Sequence, residues 1–302
     1  MMPPDAAQHF IESRYGNRAG ELSALGAGEW SRAFAFTLDG RRMVARFGRH
    51  GEDFAKDAVM AAHSSPGLPI PRVFQVGAAT EGFFAISERA DGRFLDALDA
   101  AGMRQALPAL LRALDAARAI DVSATTGYGN WSAEGSVSHR SWPEALLDIA
   151  HDPPGSRTHG WRAALSNSPT GDGPFHSGIE ALESLVYRCP ARREVIHGDL
   201  LNRNVLVDGA NVAAVLDWGN SRYGDGVYDL AWLAYWWPWY PAWSTIDIRR
   251  EIAAHLPAEP DLEDRLRCYQ IHIGLDAQAY NAFTGRFDEL AINAAQTLAL
   301  LG

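Results

Sequence analysis

Cysteine is scarce: Cys189 and Cys268 are the only two in 302 residues, and neither belongs to a C-x-x-C pair. A thiolate zinc site or a disulfide framework is therefore not expected. Two buried thiols are expected, with a single isolated bridge as the alternative. Long apolar runs are also missing. The most apolar stretch, residues 230–243, is too short to span a bilayer and contains Pro238 and Pro241. The first twenty residues carry acids and prolines without an apolar core, which does not read as a signal peptide. The setting expected from these absences is cytoplasmic, with no membrane partner. There is no basic excess either. Twenty-seven Lys+Arg against 37 Asp+Glu give a net charge of −10, which provides no general pull toward nucleic acid and suits a cationic small molecule. Repeats and low-complexity tracts are absent.

What is present is an ordinary globular composition, 47% hydrophobic and 21% charged, with length for about two domains. Residues 34–48 read as a hairpin around Asp39-Gly40, and residues 53–63 as a helix ending before Ser64-Ser65-Pro66-Gly67. Two further strands follow in LPIPRVFQVG and EGFFAISERA. After Asp91-Gly92 an Ala/Leu-rich helical pattern takes over, apart from short strands near 194–217 and a loop over 166–178. The plan is α+β: a small β-rich part built around one helix, then a larger helical part, with the boundary near residues 88–92.

The strongest signal is VIHGDLLNRNVLVDG (195–209) followed by AAVLDWGNSRYGDGVYDLAWL (213–233). A short apolar strand delivers His197, Gly198 and Asp199 into a loop. Asn204 follows five positions after Asp199, then a strand, a turn at Asp208-Gly209 and a second strand ending in Asp217. Phosphoryl transfer needs these groups in this order. One carboxylate orients the attacking hydroxyl, while an amide oxygen and a second carboxylate hold Mg²⁺ against the triphosphate. The spacing equals H-R-D-x-x-x-x-N of kinases, with Gly198 in the arginine position. His197 is read as a brace for the loop.

H-G-D-L-x-x-x-N followed by L-D-W-G resembles the signature of the aminoglycoside phosphotransferases and related small-molecule kinases. The resemblance covers nearly the whole chain. It is strongest to the hygromycin B-modifying members, through G-E-W-S-R-A-F-A-F (28–36), L-P-I-P-R-V-F-Q-V-G (68–77), W-P-W (237–239) and I-G-L-D (273–276). It implies a bilobal protein-kinase-like fold, with 1–90 as a nucleotide-binding lobe and 91–302 as a catalytic and acceptor-binding lobe. ATP or GTP and Mg²⁺ are the implied cofactors. Carried over, the resemblance makes Asp199 the catalytic base, Asn204 and Asp217 metal ligands, and Asp229 a brace that fixes the catalytic loop through backbone N–H bonds.

In the β-rich part, Gly26 and Gly28 let backbone N–H groups approach phosphates, with Ser31 where a third glycine would stand. Kinases place a lysine on the next strand; here MVARFG offers Arg46, with Asp57 as its first-choice helix acid and Glu52 and Asp53 as alternatives. Lys56 sits on the wrong element to replace it. The junction strand would place the backbone of Glu88, Arg89 and Ala90 against the nucleotide base. Nine of ten tryptophans lie at or after residue 131, and five crowd 232–243. Trp232 and Trp236 read as core, while Trp237 and Trp239 read as pocket walls, with Asp276 as the acid facing a cationic acceptor. The implied activity is O-phosphorylation of a hygromycin B-like aminoglycoside by a monomer or weak dimer. The alternatives are a metabolic kinase of another hydroxylated compound and an inactive nucleotide-binding regulator. A protein kinase is disfavoured, because no A-P-E follows Asp217.

Overall fold

Pro3 and Pro4 open a helix and not an irregular tail. In the computed structural model, which describes residues 2–302, α1 runs Pro4–Tyr15. Proline at a first helical position loses no bond, since that N–H has no intrahelical acceptor. Ala7 and Ile11 bury one face of α1 against Phe34, Phe36, Phe47 and Phe84. The sequence pointed to one helix in this region; the second is a correction, hidden by the prolines. Strands β1 (Ser23–Ala27), β2 (Ser31–Leu38) and β3 (Arg41–Gly48) follow, then helix α2 (Gly51–Ala61), β4 (Val73–Ala78) and β5 (Phe83–Glu88). They form an antiparallel sheet in the order β1-β2-β3-β5-β4. The hairpin lies where the alternation put it. Asp39 and Gly40 take φ of 52° and 77°, the positive pair that a two-residue hairpin turn requires.

The remaining elements are β6 (Arg93–Phe94), α3 (Ala100–Arg118), β7 (Tyr128–Trp131), β8 (Val137–His139), α4 (Trp142–Leu147), α5 (Trp161–Ser166) and α6 (Gly173–Leu185). Next come β9 (Glu194–Ile196), β10 (Val205–Asp208), β11 (Asn211–Val215) and β12 (Arg222–Gly224). The chain ends in α7 (Val227–Trp236), α8 (Ile248–His255), α9 (Leu262–Thr284) and α10 (Phe287–Ala299). Two expectations change here. The loop at 166–178 becomes helical from Gly173, because Pro174 starts a helix and Phe175 and Gly178 are buried. Strands also occur outside 194–217, since β7 and β8 join β12 and β9 in the order β8-β7-β12-β9.

By contact the chain forms two compact units. The first comprises residues up to 116, 132–135 and 199–221; the second comprises 117–131, 136–198 and 222–302. This differs from a cut after residue 90, because β10 pairs with both β6 and β11 and draws the 199–221 segment into the first unit. In the second unit α9 is the central helix, packed by α5, α6, α7 and α10. Its Gly274 has a steric reason: a Cβ there would meet Thr297 Oγ1 at 2.2 Å. Cys189 and Cys268 are free thiols. Among the described residues no helix is long and apolar enough to cross a membrane.

A buried ion pair anchors the start of α7. The Arg265 guanidinium donates to both oxygens of Asp225, at 2.8 and 2.6 Å, and the Tyr269 hydroxyl donates to Asp225 at 2.5 Å. The side chains of Arg265 and Asp225 are 1% and 0% exposed. Asp225→Ala is therefore expected to lower stability by about 1.5–3 kcal/mol in urea unfolding, because it leaves the buried guanidinium with only the Glu259 carboxylate and the Pro260 carbonyl. A loss below about 1 kcal/mol would contradict that role.

Candidate active site

The loop after β9 is tied down on both sides of Asp199. Before it, the Asp229 carboxylate accepts from the backbone N–H of His197 at 2.8 Å and of Gly198 at 2.9 Å. Asp229 sits in the first turn of α7, so the helix N-terminus supports its charge. His197 is completely buried. After it, Asn202 donates to one oxygen of Asp199 at 2.9 Å, and Asn220 donates to the other at 3.4 Å. The Asn204 amide donates to the Asp199 carbonyl at 2.7 Å, and the Asn204 carbonyl accepts from Leu216 N–H at 2.7 Å. Sequence reasoning missed Asn202 and Asn220. Their signal was their position, three residues after Asp199 and three after Asp217, in stretches that must turn.

The turning is strained. Asn202, Arg203 and Asp217 all have positive φ, 62°, 68° and 59°. Only two other described non-glycine residues do so, Asp39 and Asp261, and such conformations concentrate where a site over-determines the backbone. Burial raises the Asp199 carboxyl to about 7, with help from Asp217, while donors from Asn202, Asn220 and Asn204 oppose the shift. Burial and the neighbouring Asp57 also push Asp217 up, against the pull of Arg46. Burial pushes Asp229 up as well, opposed by His197 and by its two backbone bonds.

The Arg46 guanidinium, on β3, pairs with Asp57 on α2 and lies over the Phe54 ring, 5.0 Å from its centroid. Burial disfavours this charge, but Asp57, Asp217 and Asp53 outweigh it and hold the guanidinium above its ordinary pKa. The other Asp57 oxygen accepts from Trp218 N–H at 2.7 Å. One carboxylate thus joins the β3 cation to the backbone beside Asp217. Lys56 is turned to backbone carbonyls, Gly219 at 2.8 Å and Ser221 at 2.7 Å.

The other expected residues are less convergent. Gly26 and Gly28 flank the end of β1, where Gly28 N–H closes a turn on the Ser31 carbonyl at 2.9 Å. The N–H groups of Glu88 and Arg89 are committed to the carbonyls of Arg72 and Arg42, and Ala90 follows them beyond β5. In the second unit, Trp237 is a correction. It is 6% exposed, donates to the Ile246 carbonyl at 3.2 Å and packs on Trp243, so it serves the core and not a pocket wall. Trp239 is half-buried, and its indole N–H donates to Gln296 at 3.1 Å. Asp276 is half-buried on α9; burial raises its pKa and Arg222 opposes the rise. Trp232 is buried, as expected for core, and Trp236 is half-buried.

The donor set fits Mg²⁺. No group of three His, Cys, Asp or Glu that could hold a metal occurs among the described residues. Mg²⁺ does not need one, since it takes one or two protein oxygens and completes its shell with water and phosphate. The Asn204 NH₂ is already engaged, which leaves its amide oxygen as a hard donor that could serve together with the Asp217 carboxylate.

Residues 21–267 match the model of the phosphotransferase enzyme family. The chain belongs to this family. It is 31% identical to the hygromycin-B 4-O-kinase of Escherichia coli over 293 residues, 95% of this chain and 82% of that protein. The crystal structure of aminoglycoside phosphotransferase APH(4)-Ia superposes with a TM-score of 0.87 at 28% identity, covering 99% of this chain and 98% of that one. A thermostable mutant of the same enzyme, in ternary complex with AMP-PNP and hygromycin B, gives 0.86 at 29% identity over 98% of each chain. Aminoglycoside 2'-phosphotransferase-IIIa, at 14% identity and a TM-score of 0.67, shares the fold. The architecture is kinase-like: a β-sheet N-terminal region and a helical C-terminal region.

A raised carboxyl pKa sets a sign for stability. The contribution of Asp199 is full below the ordinary carboxylate pKa of 3.8 and is lost as pH rises through about 7. With EDTA present, Asp199→Asn is expected to melt several degrees above the unmodified protein at pH 8, an advantage that vanishes near pH 4. Equal melting temperatures at pH 8 would contradict the assigned environment.

Proposed function

We propose that this protein transfers the γ-phosphate of ATP or GTP to a hydroxyl of a hygromycin B-like aminoglycoside, conferring resistance. The observation that carries the reading is the Asp199 carboxylate. Amide donors hold it at both oxygens, in the same compact unit as Asn204, Asp217 and the Arg46–Asp57 pair. The similarity to a hygromycin-B kinase over most of the chain supports the acceptor class. The net charge of −10 favours a polycation.

In this reading Asp199 accepts a hydrogen bond from the acceptor hydroxyl and takes its proton as the new bond to the γ-phosphorus forms and the bond to the β–γ bridging oxygen breaks, releasing the nucleoside diphosphate. Asn202 and Asn220 keep the carboxylate aimed, so the base acts chiefly by positioning. Arg46 binds the α- and β-phosphates as a fixed fork while Asp57 sets its orientation. Asn204 and Asp217 would hold Mg²⁺, which neutralises charge developing on the phosphate oxygens when bound. Gly26, Gly28 and Ser31 would cover the phosphates. A Cβ at Gly26 would meet nothing within 4 Å, and one at Gly28 only Ser31 O at 3.8 Å, so packing within the chain does not require glycine there. A ligand close to that backbone would. The backbone of Glu88 and Ala90 would flank the base, and Trp239 with Asp276 would face the acceptor. His197 and Asp229 support the loop. Residues 1–90 would then be the nucleotide lobe, and 91–302 the catalytic and acceptor lobe.

Cells expressing the protein are expected to survive hygromycin B, and cells expressing Asp199→Asn are not. Purified protein should release ADP or GDP in proportion to added hygromycin B, with turnover reduced about 10²–10⁴-fold in the variant. Protection by both versions would mean sequestration in place of chemistry. Nucleotide turnover only with sugars or amino alcohols would assign a metabolic kinase.

A further inference from the structure

Lys56 is the one lysine in a sequence with 27 basic residues, and it is 3% exposed. Burying an ammonium is costly unless its donors are met, and a position that only fills space accepts an apolar side chain better. Its Nζ donates to the carbonyls of Gly219 and Ser221, at 2.8 and 2.7 Å. Asp53, Lys56 and Asp57 stand at i, i+3 and i+4, so they share one face of α2. All three meet the same five-residue turn. Asp57 accepts from Trp218 N–H, Lys56 donates to the carbonyls of residues 219 and 221, and a Cβ on Gly219 would lie 2.9 Å from Asp53 Cγ. The turn begins at Asp217, which takes positive φ, and includes Asn220, which donates to Asp199.

Resting on the phosphotransferase reading above, we infer that Lys56 is a positioning residue for magnesium and the catalytic base. Its ammonium holds two carbonyls of the 217–221 turn, and that fixes where the Asp217 carboxylate and the Asn220 amide point. Lys56 touches neither phosphate nor acceptor in this role. It acts through the backbone that carries the Asp217 carboxylate, which would hold magnesium, and the Asn220 amide, which holds the base.

The test is steady-state hygromycin B-dependent nucleotide turnover, titrated with Mg²⁺, for the unmodified protein, Lys56→Met and Lys56→Arg. For a Lys56→Met protein that melts cooperatively, kcat should fall and the half-saturating Mg²⁺ rise, each by ~10–100-fold, while acceptor KM stays within about 2-fold. Lys56→Arg, which can still donate to both carbonyls, should recover most of each loss. A folded Lys56→Met protein with unchanged kcat and Mg²⁺ dependence would overturn the inference. A merely structural lysine would lower the melting temperature and leave the Mg²⁺ midpoint in place. If Lys56→Met does not fold, the single lysine permits a measurement on the unmodified protein. With ¹⁵N-lysine labelling, its one side-chain ammonium resonance should be protected from solvent and shift when Mg²⁺ and AMP-PNP are added together. A resonance that Mg²⁺ and AMP-PNP leave unmoved overturns the inference. Absence of turnover in the unmodified protein would instead defeat the phosphotransferase reading, and this inference with it.

Discussion

The Asp57 carboxylate is the constraint on which the site depends. One oxygen holds the Arg46 guanidinium and the other holds the N–H of Trp218. Strand β3, helix α2 and the turn after β11 are thereby fixed to one another through a single planar group. Either contact alone would be an ordinary ion pair or an ordinary turn. Together they set the distance between a cation suited to phosphate and a carboxylate suited to a metal, before any ligand is bound. Buried, charge-assisted bonds of this kind are short and directional, which gives the arrangement its precision.

That order is achieved against electrostatic resistance. Burial disfavours the ionised forms of both Asp199 and Asp217; Asp217 adds to the burden on Asp199, and Asp57 and Asp53 add to that on Asp217. Three of the turning residues adopt backbone conformations that L side chains seldom take. Elsewhere a protein avoids such features; here they converge on a few residues beside one helix face. In the proposed reading, this carboxylate cluster in a strained loop is what a divalent cation and an anionic ligand would complete. Within the second unit, the backbone leading to Asp199 is stiffened. The Asp225–Arg265 pair sets the start of α7, and α7 presents Asp229 to the backbone immediately before Asp199.

Much of this was legible where the chemistry is local. The H-G-D, Asn204 and Asp217 series lies within 21 residues with a turn between two short strands, so spacing alone brought the groups together. Arg46 and Asp57 could be paired because a strand and the helix after it leave few other partners. What escaped depended on tertiary placement. The prolines of α1 gave no sign of a helix, and the Ser/Gly/Pro stretch at 166–178 read as a loop, yet proline at a first helical turn is favourable. Strands β7, β8 and β12, at three or four residues, are too short to show alternation. Trp237 and Trp239 flank Pro238 and look alike in sequence, and only packing sends Trp237 inward to Trp243. Asn202 and Asn220 looked like turn formers. That their amides aim at Asp199 follows from the positive φ at 202 and from the α2 contacts that hold the 217–221 turn.

Calorimetric binding of AMP-PNP with and without Mg²⁺, to the unmodified protein and to Asp57→Asn, is the most direct measurement of whether that carboxylate organises the site. The account predicts that Mg²⁺ tightens binding to the unmodified protein by more than about tenfold, and that Asp57→Asn loses this gain while still melting cooperatively. An equal Mg²⁺-dependent gain in the two proteins would contradict it.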